Sequence, residues 1–235
     1  MVRSAKNNRK TLIKKSSKIK IKYKNIVICL IVVSLFGLGI ITFCQLPISN
    51  IYIINNKYLN DQEIIEYAGL SDYPKTSSVF GLSIKQKLKK HPLINNVKVT
   101  KKMFTNVYIE IVENRPLFYD SAQNKTILLD GTLYEGKFNI PFVINYIPDT
   151  IYDVFYKQMT LLYPDVIDRI SEIKYDPNDV DAERFLLLMK DQNYVYVTID
   201  KFTSINNYLD IVKKFSSKKG ILYLDSGEYF KILED

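Results

Sequence analysis

The chain has 235 residues, 47% of them apolar, with 18 Tyr, 12 Phe, no Trp and only 8 Gly and 8 Pro; this supports a packed core and excludes a loop-dominated or disordered chain. The net charge of +8 is concentrated at one end: residues 1–24 carry ten Lys/Arg and no acid, residues 25–56 carry no charge, and the remainder sets the other 23 basic residues (33 less ten) against all 25 acids. The folded part is therefore nearly neutral, which excludes a nucleic-acid footprint, and the two cysteines, Cys29 and Cys44, lie in the uncharged stretch, which excludes a thiol nucleophile elsewhere.

In chain order, residues 1–25 read as a basic tail. Ile26 to Leu46 follow as 21 uncharged, mostly apolar residues, about 31 Å as a helix, against a bilayer core of about 30 Å. The run exceeds a signal-peptide apolar region. Its exit, Cys44-Gln45-Leu46-Pro47, offers no small-x-small cleavage site. A transmembrane helix over 26–46 is expected. Ten cations before it and none close behind place the N-terminus in the cytosol and residues 47–235 outside. The tail also suits anionic lipid headgroups. Cys29 and Cys44 stand too far apart along one straight helix to bridge.

A first folded unit is expected over 49–118. Ile51 to Ile54 is a short β-favouring run. Asn60 and Glu63 form a capping box, with Leu59 and Ile64 as a hydrophobic staple and Gly69 as the stop. Ile64, Ile65 and Ala68 make the inward stripe. A second helix runs from Leu82 to His91, with Ile84 and Leu88 inward, Lys85, Lys87, Lys89 and Lys90 on its solvated face, and Pro92 behind it. Val97 and Val99, then Val107, Ile109 and Ile111, alternate with polar neighbours as two strands. The order is β-α-α-β-β.

A second unit is expected over 119–235: a strand at 127–129, a turn at Asp130-Gly131, and a short apolar run at 141–144. The helix over 149–163 carries Ile151, Val154, Phe155, Met159 and Leu162 inward and ends at Pro164. Strands follow at 170–175, 185–189 and 194–199, the last two joined by a four-residue hairpin connection. A helix over 201–215 has Ile205, Tyr208, Leu209 and Val212 inward and Gly220 past its end. Two strands close the chain, at 221–224 and 229–233, around an Asp225-Ser226-Gly227 turn. The fold class is α+β.

The β-α-α-β-β order, the phrase from His91 to Val99 (HPLINNVKV) and the strand ending Glu113-Asn114-Arg115-Pro116 resemble a POTRA domain. Directly after a single basic-flanked anchor, they resemble the FtsQ/DivIB family of bacterial division proteins. The second unit is similar to that family's β domain through Ile170-Ser171-Glu172-Ile173, the hairpin, the amphipathic helix and the Gly-led final strand pair. The resemblance implies a protein of the cell membrane, concentrated at the division septum, binding the bitopic proteins FtsL and DivIC/FtsB and supporting septal peptidoglycan synthases. Some Gram-positive members carry a long flexible C-terminal tail; this sequence stops at Asp235, and no role for such a tail is expected.

No cofactor, small-molecule substrate or nucleic acid is implied. His91 is the single histidine and reads as a structural cap beside Pro92. No nucleophile elbow, metalloprotease helix motif or phosphate-binding loop is present. Asp179 and Asp181 read as a polar loop. A tethered domain without a catalytic constellation acts by contact. The aromatic run at the chain's end (Tyr223, Leu224, Tyr229, Phe230, Ile232) suits an edge strand able to accept a partner strand. The resemblance implies Leu224, Ser226, Tyr229, Phe230 and Ile232 as partner-binding residues. Two other readings make different predictions: a membrane-anchored wall hydrolase, and a POTRA-type secretion or assembly chaperone.

Overall fold

A computed structural model describes residues 22–215 and 219–233. The tail expected at 1–25 lies, up to residue 21, outside the described residues. Helix α1 (Tyr23–Cys44) is 22 residues long with no buried residue, so it is not the core helix of a soluble domain. It is the one described helix long and apolar enough to cross a membrane. It forms a separate unit up to Leu46.

From Pro47 onward the chain builds two sheets. The smaller contains β1 (Asn50–Ile54), β2 (Ile94–Lys102) and β3 (Asn106–Glu113) in the order β1-β3-β2, with β1 parallel and β2 antiparallel to β3. Helices α2 (Asp61–Ala68) and α3 (Gly81–Leu88) intervene, giving the expected β-α-α-β-β order. The capping box forms: the Glu63 N–H donates to Asn60 Oδ1 at 2.8 Å and the Asn60 N–H to Glu63 Oε2 at 3.1 Å. Gly69 ends α2 in the left-handed region, at φ 72°, where a side chain would be strained. Ile64, Ala68, Ile84 and Leu88 meet Val97, Val107, Ile109 and Ile111 in one buried core.

The two family-like phrases meet at the exit of this unit. Glu113, at the end of β3, accepts the backbone N–H groups of Lys57, Tyr58 and Leu59 at 2.8–3.1 Å. A carboxylate thereby satisfies three consecutive donors in the loop before α2. The buried Asn114 donates its N–H to Leu93 O at 2.8 Å. His91 Nδ1 accepts the Leu93 N–H at 3.2 Å, and its ring stands edge-on to Tyr67, centroids 4.7 Å apart. Burial lowers the His91 pKa, against the opposing pull of Glu63 and Glu113.

The larger sheet has nine described strands in the order β12-β11-β10-β9-β8-β7-β4-β5-β6. They are β4 (Pro116–Asp120), β5 (Lys125–Leu128), β6 (Leu133–Tyr134), β7 (Phe142–Val143), β8 (Ile170–Tyr175), β9 (Arg184–Met189), β10 (Tyr194–Thr198), β11 (Gly220–Tyr223) and β12 (Tyr229–Ile232). The chain changes sheet at Asn114-Arg115, so β4 lies in the larger sheet although residues 116–118 were expected in the first unit. Leu128 of β5 reaches back into the first core.

Helix α4 (Asp149–Thr160) brings Ile151, Phe155 and Met159 onto the sheet. Phe155 stacks on Phe185 at 5.0 Å and meets Phe202 edge-on at 5.6 Å. Three expectations are corrected here. Val154 is 42% exposed, because it lies about 100° around the helix from Phe155. Pro164 does not end α4, which stops at Thr160; it opens a one-turn helix, α5 (Pro164–Ile167), at the position where its missing N–H costs nothing. The helix expected over 201–215 is a 3₁₀ stretch, Ile199–Asn207, followed by α6 (Tyr208–Lys213). Ile205 and Tyr208 are buried, whereas Leu209 and Val212 are only partly so.

Candidate interaction surface

Strand β12 is the outermost strand at one end of the larger sheet. It runs antiparallel to β11 in the register Gly220↔Ile232, Ile221↔Lys231, Leu222↔Phe230 and Tyr223↔Tyr229. The Leu233 N–H donates to Lys219 O at 3.0 Å. Antiparallel pairs alternate between bonded and non-bonded, so Tyr229 and Lys231 face β11 with their backbone groups. The N–H and C=O groups of Phe230 and Ile232 then point to the open edge, the arrangement that accepts an added strand.

The local sequence holds this edge in place. A Cβ on Gly220 would stand 2.5 Å from Lys231 O and 2.5 Å from the Phe230 ring, so glycine is what lets β12 close onto β11. The Phe230 ring also stacks on Phe215 at 4.6 Å. The Gly220 N–H donates to Asn193 Oδ1 at 2.8 Å. Asn193 Nδ2 donates to the Tyr208 hydroxyl at 2.9 Å, and that hydroxyl donates to the Asp191 carboxylate at 2.8 Å. Burial, then the bond to Asp191, raises the Tyr208 pKa, so the phenol stays a donor. The hairpin connection between β9 and β10 is thus coupled to the first residue of β11.

At the other end of β11, the Asp225 carboxylate accepts from Arg184 Nε at 2.9 Å. Arg184 also pairs with Asp176 at 3.2 Å and lies over the Tyr196 ring at 3.8 Å. Tyr196 stacks on Tyr223 at 5.5 Å, and Tyr223 on Tyr229 at 4.7 Å with 13° between planes. One ladder, Arg184–Tyr196–Tyr223–Tyr229, therefore crosses four strands on the sheet face opposite the helices. Beside the Asp225 turn lies an open cleft of about 450 Å³, lined by Asp181, Glu183, Asp200, Lys201 and Asp225 among others.

Of the five residues expected to meet a partner, the structure brings four to the surface. Ser226 is exposed in the turn, with its N–H on Asp225 Oδ1 at 2.8 Å. Tyr229 is 50% exposed, Ile232 40% exposed, and Phe230 half-buried. Leu224, the fifth, is 1% exposed, packed in the core, with its N–H on Tyr196 O. Two-residue alternation from Leu222 forces that side inward. Sequence reading missed Arg184 and Tyr196, and took Gly220 as the stop of a helix and the lead of the strand pair without its close approach to β12. Tyr194 and Tyr196 alternating with Val195 and Val197 was the available signal for an aromatic outer face. His91 serves the backbone of Leu93, and among the described residues no cluster of His, Cys, Asp or Glu could hold a metal.

Residues 46–114 match the family model of the FtsQ-type POTRA domain. The chain is 30% identical over 196 residues to the cell division protein DivIB of Leuconostoc kimchii, covering 75% of each chain. It is 27% identical over 209 residues to DivIB of Bacillus subtilis, covering 82% of this chain and 78% of the relative. A solved structure of the major extracytoplasmic domain of DivIB from Geobacillus stearothermophilus aligns with 45% of this chain and 96% of its own, at 21% identity and a TM-score of 0.37. With its POTRA unit, its β-rich second sheet and these relatives, the chain belongs to the FtsQ/DivIB family of bacterial cell-division proteins.

Proposed function

We propose that this chain is a non-enzymatic scaffold of the division machinery. Helix α1 anchors it with the basic tail in the cytosol. The portion from Pro47 onward stands outside, as a POTRA domain up to about Asn114 and a β domain beyond. Strand β12 captures bitopic partners of the FtsL and DivIC/FtsB type by strand addition, and the assembly supports peptidoglycan synthesis at the septum.

The observation that carries this reading is the open edge of β12, where the backbone groups of Phe230 and Ile232 stand beside the exposed Tyr229 and Ile232 side chains. Aromatic anchors beside a backbone edge suit a protein partner far better than a small substrate.

The test is capture of purified partners by the full-length chain in detergent. Tyr229→Asp is expected to weaken capture about tenfold or more while leaving the melting temperature near the parent's. Undiminished capture by that variant would remove β12 from the contact.

A further inference from the structure

The end of the POTRA unit at which its chain begins is apolar where a soluble domain would be polar. Strand β1 starts there, β2 ends there and β3 starts there. The Ile48 N–H donates to Pro74 O at 3.1 Å, the Ser49 N–H to Thr105 O at 2.9 Å, and Pro47 bridges to Lys75. Lys101, at the end of β2, donates its ammonium to Thr76 O at 2.7 Å and to Val79 O. These bonds draw the loop 73–80, the start of α3 and the β2–β3 turn into one cluster of tips.

That cluster displays Tyr73 at 52%, Phe80 and Leu82 each at 67%, and Met103 at 85% exposure. Lys75 and Lys102 stand exposed beside them, against the single acid Asp72. These large apolar side chains stand on the 73–80 loop, the first turn of α3 and the β2–β3 turn, with two exposed lysines beside them. They form a set of short prongs, the pattern that inserts shallowly into a lipid interface. Ser49 lies five residues beyond Cys44, the last of α1. However the chain runs, that span is at most about 17 Å, within reach of the headgroup layer.

We infer that this end of the POTRA unit is a second, peripheral membrane contact: Phe80, Leu82 and Met103 enter the interface of the bilayer on the side where Pro47 emerges, with Lys75 and Lys102 at headgroup level. The inference rests on reading α1 as the membrane span. Its consequence is that the POTRA unit is held against the lipid and does not swing freely on its linker. The partner-binding edge would then be presented at a defined height.

The test uses the full-length chain in nanodiscs of zwitterionic and anionic phospholipid, with an environment-sensitive fluorophore on one cysteine at a time and other cysteines changed to serine. Phe80→Cys, Leu82→Cys and Met103→Cys place the label at the tips, all exposed enough to leave the fold intact. Val180→Cys, at an 88% exposed position, is the control in the larger sheet's loops. The native Cys29 reports on α1. Labels at 80, 82 and 103 are expected to shift to the blue and to lose emission to lipids carrying nitroxide near the headgroup, while the label at 180 does neither. Water-like, unquenched emission at the three tips, with Cys29 still quenched by nitroxide on the upper acyl chain at its own depth, would overturn the inference and leave the anchor intact. Tips that become protected only when a partner protein is added would overturn it too. An unquenched Cys29 would remove the anchor and the inference together.

Discussion

Single side chains decide whether the β12 edge exists and whether it is presented. Gly220→Ala drives a methyl group into Lys231 O and the Phe230 ring. Overpacking of this kind costs about 1–3 kcal/mol, so the melting temperature should fall by several degrees. Partner capture should fall with it, because β12 is displaced. Tyr208→Phe removes the donor to the exposed Asp191 and the acceptor for the buried Asn193; leaving the one buried amide donor unmet costs about 1–3 kcal/mol, readable by urea denaturation. His91 adds a pH dependence. Burial holds its pKa below the ordinary 6.5, so the neutral ring contributes stability above that value, and the contribution is lost as pH falls through it. Melting temperature should therefore begin to drop as pH falls past 6.5 and keep dropping down to the lowered folded-state value, and the drop should be smaller in His91→Gln. An unchanged slope in the variant would mean that other groups carry the acid response.

At the scale of elements, legibility followed length and periodicity. Helix α2 was readable because its cap, staple and stop are all local: Asn60, Glu63, Leu59 and Gly69 lie within eleven residues. Asn60→Ala should cost about 1 kcal/mol. Strands β6 and β7 have two residues each, too few to show a period, and were invisible as strands until the sheet assembled. The 3₁₀ stretch before α6 could not be told from an α-helix, because Phe202, Ile205 and Tyr208 recur every third residue and fit either. The site divided in the same way. An aromatic edge at the chain's end is visible in order along the sequence. The ladder from Arg184 to Tyr229 joins four strands, and Leu224 turns inward only because the register counts from Leu222. Cross-strand register is a tertiary property, absent from a one-dimensional reading.

For the whole molecule, the sequence carried the gross plan in its charge distribution: a cationic leader, an uncharged span, then a neutral fold. The sharing of Leu128 between the larger sheet and the POTRA core was not legible, since nothing local marks a strand residue as belonging to a neighbouring core. The most direct measurement is amide hydrogen exchange of the full-length chain in nanodiscs, with and without FtsL- and DivIC-type partners. The N–H groups of Phe230 and Ile232 should gain strong protection on binding, while those of β6, at the opposite edge of the same sheet, should not change. Partners bound with no added protection at Phe230 and Ile232 would contradict strand addition at β12.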